Sequence, residues 1–212
     1  YGEALAILAG DALLTGAFQV LAEGYPPRTA AVSCLELAKG SGAVGMVGGQ
    51  VIDLQAEGRI SPSGGRKPPV DSPAQGAYAP RSEVGLLEDL HARKTGALFR
   101  SSLRLGVFAA QGERPAGPDA GAMAAVDAYA GAFGLLFQVT DDLLDVESTA
   151  DKAGKRVGKD AARGKLTYPG LLGVEESRRK AAELGDRATA AADDLGSPLL
   201  AALARYVVTR ER

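Results

Sequence analysis

The 212-residue sequence has no tryptophan, one histidine, one cysteine and two methionines, and aromatic side chains make up only 5% of it. A single cysteine, Cys34, cannot close an internal disulfide, so a reducing compartment, the cytoplasm, is expected. A single histidine, His91, excludes any metal site that needs two imidazoles. Charge of one sign is also missing. Twenty-four basic residues stand against 26 acidic ones, which supplies no general field for nucleic acid or an anionic membrane. Long apolar runs are absent: the longest uncharged stretches, Gly40–Ile52 and Ala128–Thr140, have 13 residues each. That is short of the roughly 18–20 needed to cross a bilayer, so no membrane span is expected. The opening Tyr1-Gly2-Glu3 carries neither Met nor a basic run, which predicts no signal peptide and a chain trimmed at its N-terminus.

What is present is alanine, leucine and glycine, a composition suited to close-packed helices, and no strand alternation is sustained over five residues. The expectation is a single all-α domain over residues 1–212. Leu5, Leu8, Leu13, Phe18 and Leu21 recur at helical spacing until Gly24 and Pro26-Pro27 interrupt them. Thr29 is the expected cap of a second long helix reaching about Glu57. Its middle, from Gly40 to Gly49, is rich in glycine, and each glycine in a helix costs about 0.5–1 kcal/mol relative to alanine. So many together predict close approach by another backbone or by a ligand. Residues 59–80 hold five prolines and no apolar periodicity, the pattern of a flexible loop. Helical spacing returns from Ser82, stops near Gly112, resumes over about Asp119–Glu147, and follows a basic loop, Ser148–Lys165, in three further stretches.

The residues with the most chemical content are Asp141, Asp142 and Asp145, three carboxylates within five positions. On a helix Asp141 and Asp145 are four apart and share a face, where like charges repel, and acids near a helix C-terminus oppose the macrodipole. A hard divalent cation, Mg²⁺ or Mn²⁺, would compensate them, usually through one or two carboxylates plus substrate phosphates. A solvated acidic helix end bridged by the lysines that follow is the other reading. Those lysines, from Lys155 to Lys165, alternate with glycines and suit either a polyanion bridged by metal or a basic surface loop. Lys94, in Lys94-Thr95-Gly96, is either a point-charge phosphate ligand or a snorkelling surface lysine.

Taken together, the segments resemble the trans-isoprenyl diphosphate synthases, the polyprenyl synthetase family. The resemblance runs in family order through six blocks: Gly2–Leu14, Gly45–Leu54, Lys94–Gly96, Phe137–Asp145, Lys155–Pro169 and Leu203–Val208. They match the family's C-terminal two-thirds. The resemblance implies an all-α bundle of long antiparallel helices around a central cavity, with the N-terminal helices missing, in a homodimer. It implies Mg²⁺-dependent condensation of an allylic diphosphate with the homoallylic isopentenyl diphosphate into a longer all-trans prenyl diphosphate of farnesyl or geranylgeranyl type. Asp141, Asp142 and Asp145 match the second aspartate-rich motif and would bind the metal. Lys94, Lys155 and Lys165 match ligands of the allylic diphosphate. Thr95 and Gln138 match polar groups near the allylic carbocation, so that Lys94, Thr95 and Gln138 would form the catalytic set. Gln50 and Asp53, one helical turn apart, match a cavity-lining pair.

The family's first aspartate-rich motif and its paired arginines, which precede this point in the family, are not among these residues, so the chain by itself is expected to be inactive. Two other readings share parts of the pattern. A non-catalytic partner subunit would lack the first motif by nature. A class I terpene cyclase usually carries an Asn/Ser/Glu metal triad, which Asp141–Asp145 does not resemble. Cys34 and Met46 are expected in core or interface packing, and His91 on a helix surface near Lys94.

Overall fold

The structure, a computed structural model, describes residues 2–60, 82–153 and 166–210, and for 148–153 the backbone alone. Residues 61–80 of the expected loop, together with Lys155 and Lys165, lie outside these residues. Every regular element among the described residues is helical, as the composition implied. Helix α1, Glu3–Gly24, ends where Tyr25 precedes a proline and is driven to extended backbone, φ −128°, ψ 155°. Pro27 then opens α2, Pro27–Ser41, at the position where a missing N–H is harmless.

The expected single helix from Thr29 to Glu57 is two helices. After α2 the chain turns through Gly42–Gly45 and restarts as α3, Met46–Ala56. The turn needs glycine, because a Cβ on Gly45 would lie 2.1 Å from the Gly40 carbonyl oxygen. Nor is Thr29 the cap. It is buried in the first turn of α2, where its hydroxyl donates to Glu113 Oε1 at 2.6 Å. Ser82 does cap the next helix, α4, Glu83–His91, accepting from the Gly85 N–H at 3.1 Å. A π-turn, Ala92–Gly96, joins α4 to α5, Ala97–Gln111. The longest helix, α6, spans Ala120–Ala153, and α7, Tyr168–Leu172, α8, Val174–Asp194, and α9, Pro198–Thr209, complete the fold.

Helix α6 is the spine. Tyr129, Phe133, Leu136, Val139 and Leu143 repeat at three- and four-residue intervals and are buried against α8 and α9. The partners are small: Ala181, Ala188, Ala192, Ala201 and Ala204 let the three helices approach closely. At one crossing a Cβ on Gly185 would come 2.4 Å from the Val208 side chain. On the other side α6 is tied to α5 and α2 by charge. Arg104 forks onto both Asp127 carboxylate oxygens at 2.6 and 2.5 Å and reaches Glu36 at 3.2 Å. The Asp127 hydrogen bonds foremost, then the field of Glu36, hold this guanidinium above its ordinary pKa.

Helix α1 differs from the rest, for no residue in it is buried and it packs chiefly on α2. Leu5, Ile7, Leu8, Leu13 and Val20 are each more than half exposed. By length and composition α1, the stretch Pro27–Ala56 and the stretch Ala120–Glu147 are each long and apolar enough to cross a membrane. Counting uncharged runs missed this, because isolated charges such as Asp11 and Glu36 interrupt those runs without making the helices polar.

Tyr129 donates its hydroxyl to the Leu200 carbonyl at 2.9 Å, and burial pushes its pKa up from 10 to about 12. The folded state therefore keeps this proton while the unfolded chain loses it. Stability from this group is complete below pH 10 and should fall as pH rises from 10 to 12. Denaturant titrations across that range should show the fall, and Tyr129→Phe should make it shallower.

Candidate functional site

A cavity of about 280 Å³ opens between α3, α4, the π-turn and α6. Asp53 reaches it from α3, Lys94 and Thr95 from the π-turn, and Gln138, Asp141, Asp142 and Asp145 from α6. Most of the site residues expected from sequence thus meet in one place although they span more than ninety positions. Leu87, Leu90 and Leu166 supply an apolar side of the wall, with Ala56 and Glu57 at the end of α3. Gln50, one turn before Asp53 on α3, is exposed and is not among the residues that line this cavity.

The π-turn sets the position of Lys94 and Thr95. A π-turn widens the helix locally; such turns are rare and frequently found at functional sites. The strip fits because both neighbours present glycine to it. A Cβ on Gly49 of α3 would stand 2.3 Å from the Lys94 nitrogen, and one on Gly134 of α6 would stand 2.9 Å from the Gly96 Cα. Of the two explanations for the glycine-rich Gly40–Gly49, close approach by another backbone is therefore the one that operates here. Lys94 does not project freely into the cavity. Its ammonium donates to Asp53 Oδ2 at 2.5 Å, with both side chains partly exposed.

The three aspartates have three different surroundings. Asp142 is 5% exposed, and its Oδ2 accepts the Tyr168 backbone N–H at 2.9 Å, so it anchors the entry to α7. Asp141 is half-exposed and pairs through Oδ1 with Arg210, the residue that follows α9. Asp145 is exposed. His91, expected on the surface, is instead buried against the cavity, its ring stacked on Tyr168 with centroids 5.8 Å apart. Desolvation first, then the fields of Glu88 and Asp142, push the Tyr168 phenol far above its ordinary pKa, so it is a neutral group.

Among the described residues no three His, Cys, Asp or Glu side chains converge tightly enough to cage a cation. Of the three acids, Asp142 accepts the Tyr168 backbone N–H through Oδ2. The donors do fit Mg²⁺ or Mn²⁺ held in another way. They are all oxygens, and Asp141 and Asp145 share one helix face on an open cavity beside a lysine, leaving coordination positions for phosphate oxygens and water. Lys155 and Lys165 lie outside the described residues.

Sequence reasoning missed His91 and Arg210. His91 is one turn before Lys94, a spacing that places both on one side of the α4 to π-turn strip and could have flagged it. Arg210 follows the last recognised block by two residues, and only the packing of α9 on α6 carries it to Asp141.

A sequence profile described as polyprenyl synthetase matches residues 1–197. The chain is 41% identical to farnesyl diphosphate synthase of Escherichia coli, a match that covers all of the chain and 65% of that protein. It is 37% identical to a chloroplastic geranylgeranyl pyrophosphate synthase of Arabidopsis thaliana, over 99% of the chain and 54% of the relative. Among solved structures, an FPP/GFPP synthase of Zymomonas mobilis superposes with a TM-score of 0.70 at 32% identity, over 98% of this chain and 61% of that one. A Helicobacter pylori geranyltransferase solved with magnesium and isoprenyl diphosphate gives a TM-score of 0.69 at 26% identity, over 98% and 60%. The chain thus spans somewhat more than half to two thirds of the length of the relatives it matches.

The glycine contacts make a direct test. Gly49→Ala forces a methyl group into the Lys94 backbone and should cost about 1–3 kcal/mol of stability, the usual range for overpacking. In amide NMR spectra the Lys94 and Thr95 signals should shift while those of α8 stay in place. Unmoved π-turn signals would contradict the packing described.

Proposed function

The chain belongs to the polyprenyl synthetase family, and from that premise we propose that it serves a prenyltransferase joining an allylic diphosphate to isopentenyl diphosphate, with release of pyrophosphate. The product would be a longer all-trans prenyl diphosphate, and the similarity to both farnesyl and geranylgeranyl synthases supports that size range. The observation that carries the reading is the meeting of Asp141, Asp145, Lys94, Thr95 and Gln138 in one cavity from separate helices.

Diphosphate departure leaves negative charge on one side of the breaking C–O bond and a carbocation on the other. Fixed charges placed where that charge develops lower the barrier without reorganising during the reaction. Lys94 would be such a charge, held in place by Asp53 on one side and by the glycine contacts of the π-turn on the other. Lys155 and Lys165 would add to it. Asp141 and Asp145 would hold Mg²⁺, or Mn²⁺, which when bound would neutralise charge on the leaving pyrophosphate. The magnesium and isoprenyl diphosphate bound in the Helicobacter pylori geranyltransferase support this assignment. Thr95 and Gln138 face the cavity from opposite elements and would direct their side-chain oxygens toward the cationic carbon. Leu87, Leu90 and Leu166 would keep water from it. Asp142 has a different task in this reading: it holds α7 to α6 and so fixes the wall behind the acids.

The same reading makes the protein a homodimer in the cytoplasm. The unburied apolar surface of α1, with Leu8, Leu13 and Val20, supports a second copy as its cover. The half-buried, unpaired thiol of Cys34 supports a reducing compartment.

Two measurements test these points. In calorimetry, Mg²⁺ and inorganic pyrophosphate should bind more tightly together than apart, and Asp141→Ala or Asp145→Ala should abolish that coupling; intact coupling would overturn the site. In light scattering after gel filtration the chain should have twice its 21.7 kDa mass. Leu13→Lys should shift it toward monomer, and a mass unmoved by that change would count against α1 as the interface.

A further inference from the structure

The acidic stretch of α6 presents an electrostatic problem, and a side chain from the far end of the chain answers part of it. Asp141 and Asp145 lie four residues apart with Asp142 beside them, and carboxylates at that spacing repel. Arg210 brings its guanidinium onto Asp141 Oδ1. The same Nη2 reaches the Phe137 carbonyl at 3.4 Å, and the guanidinium carbon sits 4.4 Å from the centre of the Phe137 ring. The side chain is only 13% exposed, and its Nε is buried without a hydrogen-bond partner among the described residues.

Arg210 does not line the cavity that Asp141 lines. It belongs to a second cavity of about 270 Å³, walled by Thr140, Leu144 and Val208, on the other side of α6. Asp141 therefore stands between a cavity suited to a cation and a permanent cation approaching from behind. The stacking on Phe137 and the burial hold this charge in place independently of the carboxylate, so it is not a loose counter-ion that a metal would simply sweep aside.

We propose that Arg210 is a built-in counter-cation that lowers the affinity of Asp141 for a free divalent cation, so that metal is captured effectively only together with a diphosphate. The inference rests on the reading of Asp141 as a metal ligand given above. A unit charge fixed within contact distance of a carboxylate repels a second cation on that carboxylate by more than the equivalent of about tenfold in affinity, even at an effective dielectric of about 20. A diphosphate reverses the balance, because its negative charge attracts the metal and is itself attracted by Lys94 in the same cavity. Arg210 touches no reacting atom in this scheme; it acts through Asp141.

The test is calorimetry with Mn²⁺ alone and with Mn²⁺ plus inorganic pyrophosphate, on the unaltered chain and on variants whose folding is checked by circular dichroism. Arg210→Gln should bind Mn²⁺ alone about tenfold or more tightly than the unaltered chain, and the advantage conferred by pyrophosphate should shrink by the same factor. Arg210→Lys, which keeps the charge, should stay near the unaltered chain. A lost packing contact cannot create a tighter metal site, so a gain in affinity separates this role from a merely structural one. If Arg210→Gln does not fold, Phe137→Leu removes the ring beneath the guanidinium and should move Mn²⁺ affinity in the same direction by a smaller factor. Unchanged or weaker binding of Mn²⁺ in the folded variant used overturns the proposal. Asp141→Asn tells the two readings apart. If it leaves binding with pyrophosphate intact, the metal site itself is wrongly assigned. If it abolishes binding while Arg210→Gln brings no gain, only the role of Arg210 fails.

Discussion

The geometry of the cavity depends on how near the backbone of the π-turn Ala92–Gly96 comes to the helices on either side of it. Gly49 on α3 and Gly134 on α6 leave no room for a methyl group against this strip. Larger residues at either place would push α3 or α6 outward and separate Asp53 from Lys94 and both from the acids of α6. The absence of side chains at two positions thus fixes charged side chains at several others. Glycine at these helical sites is unfavourable by itself, and the tertiary approach that it permits offsets that local cost.

Helix α6 carries two functions on one rod. Toward α8 and α9 it presents Tyr129, Leu136, Val139 and Leu143 to a core of alanines, which gives it a rigid seat. A little further along, the same helix turns Gln138, Asp141 and Asp145 to the cavity. Because core and site share one continuous helix, the positions of the carboxylates are set by the packing of residues one turn away. Asp142 shows how the two merge, since it is an acid of the motif that is buried and spends its charge on the backbone of Tyr168.

Two of the cavity's charges have opposite partners: Lys94 is paired with Asp53 inside it, and Asp141 with Arg210 from the other side of α6. The first pair ties α3 to the π-turn across the cavity, and the second ties the end of α9 to α6 behind it. Each also leaves the lysine and the acids next to open volume, where a diphosphate and a divalent cation together could replace internal partners with each other. In partly buried pairs of this kind the attraction is offset by desolvation of the charges, so they add little net stability. Their value here is to keep unlike charges preorganised around a polar cavity.

The sequence alone determined the helical class and which side chains could hold an anion or a cation, and its six ordered blocks carried the resemblance to the family. The first two are properties of composition and short-range spacing: Asp141 and Asp145 share a helix face whatever surrounds the helix, and Ser82 caps α4 through contacts three residues long. Local spacing did not reveal the break at Gly42–Gly45, since a glycine-rich stretch is compatible with a strained helix or a turn until its neighbours are known. It placed His91 on a surface, because a helix has no inside or outside until another helix covers it. Only the tertiary structure decided that Asp142 is buried, that Lys94 is already paired, and that Arg210, 69 positions away, stands behind Asp141. The physical reason is that periodicity is encoded within one or two turns of chain, whereas burial and charge pairing depend on which distant backbones small residues allow to meet.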